Sequence, residues 1–193
     1  MPNYVLTGAP GAGKTAIVRQ LEVDGFPVVA EAATDVIALE QALGQPEPWS
    51  HAGFIDKIVE LQRRRESAAA TPDGDVVFFD RSPVCTLALS RWLGRAESAQ
   101  LAAEVDRVLQ AGVYAGTVFF VQSLGFVTPT AARRISLADS LAFEAVHRQT
   151  YTELGFRLVD VPPGPLAVRV GLIRSSAGFA AGGTRVRQTR RGQ

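Results

Sequence analysis

Short, unbroken apolar runs alternate along the chain with longer segments in which apolar residues recur every three or four positions. An unbroken run of this length is typical of a strand that is buried on both faces of a parallel sheet. The pattern predicts five such strands, at Tyr4–Thr7, Val28–Ala30, Val76–Phe79, Thr117–Val121 and Phe156–Val161.

The longer segments have the period of amphipathic helices. In the first of them Ile17, Val18 and Leu21 recur at helical spacing. Strands that alternate with helices connect by right-handed crossovers. The sequence therefore predicts an α/β fold in three layers, with helices on both faces of a parallel sheet. The later helices are predicted from Thr34 or Asp35 to about 43, over about 51–70, 83–93, 97–110 and 137–154, and in a short segment ending near 174.

Length and composition indicate one domain. The chain has 193 residues, of which 47% are hydrophobic, and this is enough for one sizeable core. We assign that domain to residues 1–175 and predict a basic, disordered tail over residues 176–193, which are rich in glycine and arginine. A net charge of +1 gives no electrostatic reason to expect nucleic acid or a membrane as the main partner, although the tail leaves a nucleic-acid contact open.

The single cysteine, Cys85, excludes an internal disulfide and a cysteine-based metal site, and it favours a reducing compartment. No apolar run approaches 18 residues, and the first strand leaves no room for a signal peptide. We therefore expect a soluble, cytoplasmic protein, either a monomer or a homodimer.

The segment between the first strand and the first helix fits the phosphate-binding pattern G-x-x-x-x-G-K-[ST]. Glycines allow backbone N–H groups to converge on a phosphate. Lys14 is expected to contact the β- and γ-phosphates, and the Thr15 hydroxyl to ligate Mg²⁺. The predicted ATP-binding residues are Gly8, Ala9, Pro10, Gly11, Ala12, Gly13, Lys14, Thr15 and Ala16.

Two acidic residues follow predicted strands, at the sheet edge where open α/β proteins bind ligands. Asp80 closes an apolar strand, as in the second NTPase motif, and is predicted to hold Mg²⁺ opposite Thr15. The alternative is that Asp80 only caps the next helix. Glu31 follows the second strand, with Asp35 close behind it. Arg81 follows Asp80 and is suited to grip a phosphate or a carboxylate such as Glu31.

Five segments together resemble the small AAA-labelled P-loop domain family related to bacterial ribosylnicotinamide kinases, over about residues 3–174. They are similar, more distantly, to deoxynucleoside kinases, which share the Asp80-Arg81-Ser82 element. The resemblance implies an adenylate-kinase-like core with strand order 2-3-1-4-5 and ATP-dependent phosphoryl transfer to a small acceptor. The segments are GAPGAGKT, VVAEAA, VVFFDRS, TAARRIS and ELGFRLVDVPPGPLAVRV.

The resemblance also implies residue roles. Glu31, with Asp35 in reserve, would orient or deprotonate an acceptor hydroxyl, and the lid-like loop would bring Arg133 and Arg134 over the transferring phosphoryl group. Residues 162–165 would pass along the adenine. With Lys14 and Arg81, these residues form the predicted catalytic set. The residues implied to line an acceptor pocket are Trp49, His51, Phe54 and Gln62.

The leading hypothesis is therefore a small-molecule kinase that uses ATP and Mg²⁺ and acts on a nucleoside-like acceptor. A P-loop ATPase that works as a hydrolytic switch, or that is coupled to a partner, is the alternative, and a nucleotide-binding protein with little turnover is a third. Hydrolysis alone requires no carboxylate on the acceptor side, so Glu31 and the paired arginines favour the kinase.

Overall fold

The structure is a computed structural model that describes residues 2–69, 76–127 and 135–179. Strands and helices alternate along these residues, as the apolar pattern predicts. Their bounds are β1 Asn3–Thr7, α1 Lys14–Val23, β2 Val28–Val29, α2 Ala32–Ala42, a 3₁₀ turn Pro48–Ser50, α3 Phe54–Ala68, β3 Val77–Asp80, α4 Pro83–Trp92, α5 Ala99–Gln110, β4 Thr117–Val121, α6 Leu137–Glu153, β5 Arg157–Val161 and α7 Leu166–Ser176.

The strands form one parallel sheet in the order β2-β3-β1-β4-β5. This confirms the predicted fold class and strand order. The central strand, β1, pairs on one side with β3, where Val5 lies opposite Phe79, and on the other with β4, where Val5 lies opposite Val118. The loop that follows β1 therefore leaves the middle of the sheet at its carboxyl edge.

Both faces of the sheet are covered by apolar side chains, which explains why its strands are unbroken apolar runs. Alternate residues of β1 serve opposite faces: Leu6 packs with Ile17 of α1 and Ile173 of α7, whereas Val5 packs with Val84 of α4 and Tyr151 of α6. A third cluster joins α2, α3 and α5 beyond the sheet. Helices α2 and α3 also contribute residues to the lining of the cavity described below.

Some element boundaries differ from the prediction. Helix α2 begins at Ala32, before both proposed caps, so Glu31 is the residue that precedes the helix. The Glu31 side chain makes no capping hydrogen bond to the helix, because its carboxylate accepts hydrogen bonds from Arg81 and Thr34 instead. Helix α3 begins at Phe54 because a 3₁₀ turn, Pro48–Ser50, first redirects the chain.

The last described residues remain close to the core. Helix α7 ends at Ser176, and Phe179 packs edge to face on Phe26 with ring centroids 4.9 Å apart. Residues 180–193, most of the predicted tail, lie outside the described part of the chain. None of the helices in residues 2–69, 76–127 and 135–179 has the length and apolarity needed to cross a bilayer.

Candidate active site

The loop between β1 and α1 depends on three glycines with positive φ. The φ angles of Gly8, Gly11 and Gly13 are 124°, 84° and 84°. A Cβ at Gly8 would lie only 2.2 Å from the backbone oxygen of Val121 in β4, so a side chain there would collide with the sheet. The loop therefore requires glycine at its first position for both conformation and space.

Helix α1 starts at Lys14 with no acidic residue in its first turn and no side chain that caps its N–H groups. These N–H groups and the helix dipole suit an anion. The Lys14 ammonium donates to the backbone oxygens of Gly8 (3.0 Å) and Ala9 (2.8 Å). Burial, followed by the charge of Arg81, lowers the pKa of Lys14 to about 8. The buried ammonium is therefore costly, and a phosphate would stabilise it.

Thr15 and Asp80 lie together, with the Thr15 hydroxyl donating to Asp80 Oδ2 at 3.4 Å. Asp80 is buried, and its Oδ1 has no hydrogen-bond partner within the described residues. Burial and then the charge of Glu31 raise the pKa of Asp80. The residue that precedes α4 is Ser82, so Asp80 is not its cap.

This pair of oxygen ligands fits Mg²⁺, which prefers one or two protein oxygens together with phosphate oxygens and water. The free Oδ1 of Asp80 provides a lone pair for a cation. Over the described ranges, no three His, Cys, Asp or Glu residues group into a site that would hold a metal by protein ligands alone. The donor set is thus suited to a metal that arrives with a nucleotide.

Glu31 and Arg81 form an ion pair beside the loop, with Arg81 Nε donating to Glu31 Oε1 at 2.6 Å. The Thr34 hydroxyl donates to the other carboxylate oxygen at 2.9 Å. Burial raises the pKa of Glu31, but the charges of Arg81 and Lys14 and these hydrogen bonds outweigh it and leave the pKa below its ordinary value. Glu31 is therefore ionised at neutral pH and can accept a proton.

Arg81 is held in an unusual backbone conformation, with φ at 76°, a region that non-glycine residues rarely adopt. Its side chain also contacts His147 of α6, whose Nε2 lies 3.0 Å from Arg81 Nη1. His147 Nδ1 lies 3.0 Å from the Phe143 backbone oxygen, and burial with the charge of Arg81 keeps the His147 pKa well below its ordinary value. The hydrogen-bond network assigns a neutral ring that donates from Nδ1 and accepts at Nε2.

A single cavity of about 680 Å³ joins the phosphate loop to the Glu31–Arg81 pair. Gly11, Lys14 and Thr15 of the loop line it, and so do Glu31, Arg81 and a group of apolar side chains that we call the apolar wall. The wall is largely aromatic, and includes Ile37, Trp49, Phe54, Leu89, Trp92 and Phe143. An anion at the loop and a planar molecule at the wall would therefore occupy the same cavity, which Glu31 also lines.

Only some of the predicted site residues line this cavity. Pro10 and Gly13 of the loop also line it, and so do Trp49, Phe54 and Gln62 of the implied acceptor pocket. The loop residues that do not line it are Gly8, Ala9, Ala12 and Ala16. Ala9 and Ala12 bury their side chains completely, which leaves their backbone for the loop.

Other predicted residues lie elsewhere. His51 lines a second cavity of about 180 Å³, and Asp35 forms an ion pair with Arg65. Residues 162–165 do not line the main cavity. Arg133 and Arg134 lie outside the described residues, but Ile135 and Asp139, which follow them, do line it.

Two buried basic side chains near the site have no counterpart in the sequence prediction: His147, described above, and Arg169 of α7, which donates to the Ala12 backbone oxygen. A basic residue among the apolar positions of a helix is a weak signal, because many such residues lie at a surface. Only the packing of α6 and α7 shows what these two side chains contact.

The chain belongs to a family described as AAA domain, whose model matches residues 3–169. A protein of Frog virus 3 (isolate Goorha) named "Putative deoxynucleoside kinase" is 35% identical to it over 82 residues, which is 42% of this chain and 42% of that protein. The match thus spans less than half of the viral protein.

Solved structures share the fold. NadR protein in complex with NAD and AMP-PNP superposes with a TM-score of 0.65 at 13% identity, over 93% of this chain and 50% of that chain. Deoxyadenosine kinase from M. mycoides with products dCMP and dCDP gives a TM-score of 0.61 at 13% identity, over 91% and 98%. The chain therefore has a kinase-like P-loop fold related to that of nucleoside kinases, and it spans about half the length of NadR.

Proposed function

We propose that the protein is a kinase that transfers the γ-phosphoryl group of ATP to a hydroxyl group of a nucleoside-like small molecule. One observation carries the proposal. The phosphate loop, the Glu31–Arg81 pair and an aromatic wall line the same cavity, so a nucleotide phosphate, a planar acceptor and a carboxylate can be held together there.

In the proposed reaction the acceptor oxygen bonds to the γ-phosphorus while the bond from that phosphorus to the β–γ bridging oxygen breaks. ADP leaves, and the hydroxyl proton passes to Glu31, which is ionised at neutral pH. Lys14 and the loop N–H groups hold the phosphates, and Arg81 holds Glu31 in place. When bound, Mg²⁺ neutralises charge on the phosphate oxygens, and Thr15 and Asp80 would hold it.

The lid-like arginines, Arg133 and Arg134, are proposed to approach the transferring group from the segment before α6. The chain returns from that segment at Ile135, which lines the cavity. A cation at this position stabilises the charge that develops on the equatorial phosphate oxygens, and an arginine finger contributes about 10³- to 10⁵-fold in rate.

The aromatic wall favours an acceptor with a planar ring. Trp49, Phe54, Trp92 and Phe143 offer ring surfaces, and Trp92 and Phe143 already stack with centroids 5.4 Å apart. Stacking on an aromatic side chain contributes about 1–3 kcal/mol for each base. Gln62 lines the same cavity, and its side-chain amide can form hydrogen bonds with an acceptor. An ATPase that works as a switch needs no such pocket, and for this reason we place it second.

The test is ADP release from ATP and Mg²⁺, with and without each member of a panel of nucleosides, sugars and other small alcohols. We expect release to depend on an acceptor with a planar ring. Lys14→Ala should abolish release, and Glu31→Gln should reduce the acceptor-dependent part. Glu60→Gln, at an exposed position on α3, is the matched control and should match the unchanged protein. Release that is independent of every acceptor and unaffected by Glu31→Gln would support the ATPase instead.

A further inference from the structure

Arg169 of α7 is a buried cation directly behind the phosphate loop. It is only 4% exposed. Its Nη1 donates to the backbone oxygen of Ala12 at 2.8 Å, and its Nη2 donates to that of Gln122 at 3.1 Å. Its Nε is buried and makes no hydrogen bond within the described residues. In residues 2–69, 76–127 and 135–179, no carboxylate is within ion-pair distance of this guanidinium.

A buried charge without a counterion is unfavourable, and buried arginines are normally paired. Arg174, which also lies on α7, follows that norm. It forms an ion pair with Asp24 at 2.9 Å. Burial lowers the pKa of Arg169, which agrees with an uncompensated charge. The two carbonyl contacts offset part of this cost but supply no negative charge.

The position of this charge relates it to the phosphates. A Cβ at Gly13 would lie 2.9 Å from Arg169 Nη1, so the guanidinium packs against the loop backbone itself. The Ala12 carbonyl and the Gly13 N–H belong to one peptide group, and in a trans peptide they point in opposite directions. The carbonyl faces Arg169, so the Gly13 N–H points away from it. A cation on the carbonyl polarises the group and makes this N–H a stronger donor.

We propose that Arg169 is a positioning residue for the polyphosphate of the nucleotide. It strengthens phosphate binding through the Ala12–Gly13 peptide and through its own uncompensated charge, without contacting the nucleotide. This inference rests on the nucleotide-binding part of the proposed function and is independent of the acceptor. A side chain at position 13 would displace the guanidinium, in addition to the strain that the φ of 84° imposes on any residue other than glycine there.

Three variants separate charge from hydrogen bonding. Arg169→Lys keeps the charge, Arg169→Gln keeps a donor without charge, and Arg169→Met keeps neither. The dissociation constants of Mg²⁺ complexes of AMP-PNP and ADP are measured by calorimetry, and stability without nucleotide is measured by urea unfolding. Arg174→Met is the matched control because it removes a buried arginine of the same helix that is paired with Asp24.

We expect Arg169→Met and Arg169→Gln to weaken AMP-PNP binding by about 10- to 30-fold, the size expected for one charge several ångströms from the phosphates in a partly screened interior. ADP binding should weaken less because ADP carries less charge, and Arg169→Lys should lose only about 3-fold. Arg174→Met should lower stability without changing either dissociation constant.

The inference is overturned if Arg169→Lys and Arg169→Gln bind AMP-PNP equally well, or if ADP and AMP-PNP lose affinity by the same factor. If Arg169→Met does not fold, the comparison of the lysine and glutamine variants decides. A protein that binds AMP-PNP but transfers no phosphoryl group would contradict the proposed function and leave this inference standing. Failure of the unchanged protein to bind AMP-PNP would overturn both.

Discussion

The buried ammonium of Lys14 gives a prediction about stability that follows directly from its surroundings. Its pKa falls from 10.5 to about 8, mainly because of burial and then because of Arg81. At about 1.4 kcal/mol for each tenfold change in the protonation equilibrium, the charged form costs the folded protein about 3 kcal/mol below pH 8. The side chain is only 5% exposed, so solvent screening reduces this value little.

The sign follows from the direction of the shift. Between pH 8 and pH 10.5 the unfolded chain binds a proton at Lys14 that the folded chain has lost, so the contribution of Lys14 to stability improves as pH rises. Lys14→Met removes the charge, but it leaves the carbonyls of Gly8 and Ala9 without their donor, at a cost of about 1–2 kcal/mol. We therefore expect the variant to be more stable than the unchanged protein by about 1–2 kcal/mol at pH 7.

The assay is urea unfolding without nucleotide, followed by circular dichroism, at several values from pH 7 to pH 10. The advantage of Lys14→Met should shrink by about 2 kcal/mol over this interval. Lys57→Met, at a half-exposed position paired with Glu40, should follow the pH dependence of the unchanged protein. Parallel curves for Lys14→Met and the unchanged protein, or lower stability of Lys14→Met throughout, would refute the reasoning.

Three further predictions concern the carboxylates and the loop. Glu31→Gln should lower kcat by about 10²-fold or more with little change in the KM for ATP. Because the pKa of Glu31 lies below its ordinary value, this group should cause no loss of rate between pH 8 and pH 6. A steady-state pH profile measures both effects, and a kcat of the variant within a few-fold of normal would contradict the role of Glu31. Asp80→Asn should weaken Mg²⁺-nucleotide binding by about 10-fold or more. It should not destabilise the metal-free protein, because the raised pKa of Asp80 shows that its ionised form is unfavourable there. Calorimetry at graded Mg²⁺ concentrations checks this, and an unchanged Mg²⁺ dependence would exclude the metal site. Gly8→Ala should lower the free energy of unfolding by about 3 kcal/mol or more. Gly44 also has a positive φ, but no atom lies within 4 Å of a new Cβ there, so Gly44→Ala should cost only about 1 kcal/mol. Equal losses of stability in urea unfolding would show that the contact with Val121 carries no cost.

The fold could be predicted because its signals are local. Apolar runs such as Val76–Phe79 bury both faces of a strand, and the phosphate-loop pattern indicates a glycine-rich turn and a helix directly after β1. The strand order came from family resemblance. It places the ends of β2 and β3 side by side, and this explains why Glu31 and Arg81 are in contact although 50 positions separate them.

The contacts of α6 and α7 could not be predicted in the same way. His147 and Arg169 are single basic residues in otherwise ordinary helical patterns, and their roles depend on how each helix packs on the loop and on Arg81. The sequence predicts a start of α2 that is too late, because Thr34 resembles a cap, whereas in the fold its hydroxyl donates to Glu31. In each case a tertiary contact outweighs the local signal.

The most direct measurement of the central claim follows the γ-phosphoryl group itself. The protein is incubated with γ-labelled ATP, Mg²⁺ and the acceptor that gives the largest ADP release, and the labelled products are separated. We predict that the label appears in a phosphate ester of the acceptor, in an amount equal to the ADP formed, and that Glu31→Gln suppresses it. Label recovered only as inorganic phosphate, in equal amount with and without the acceptor, would contradict phosphoryl transfer to a small molecule.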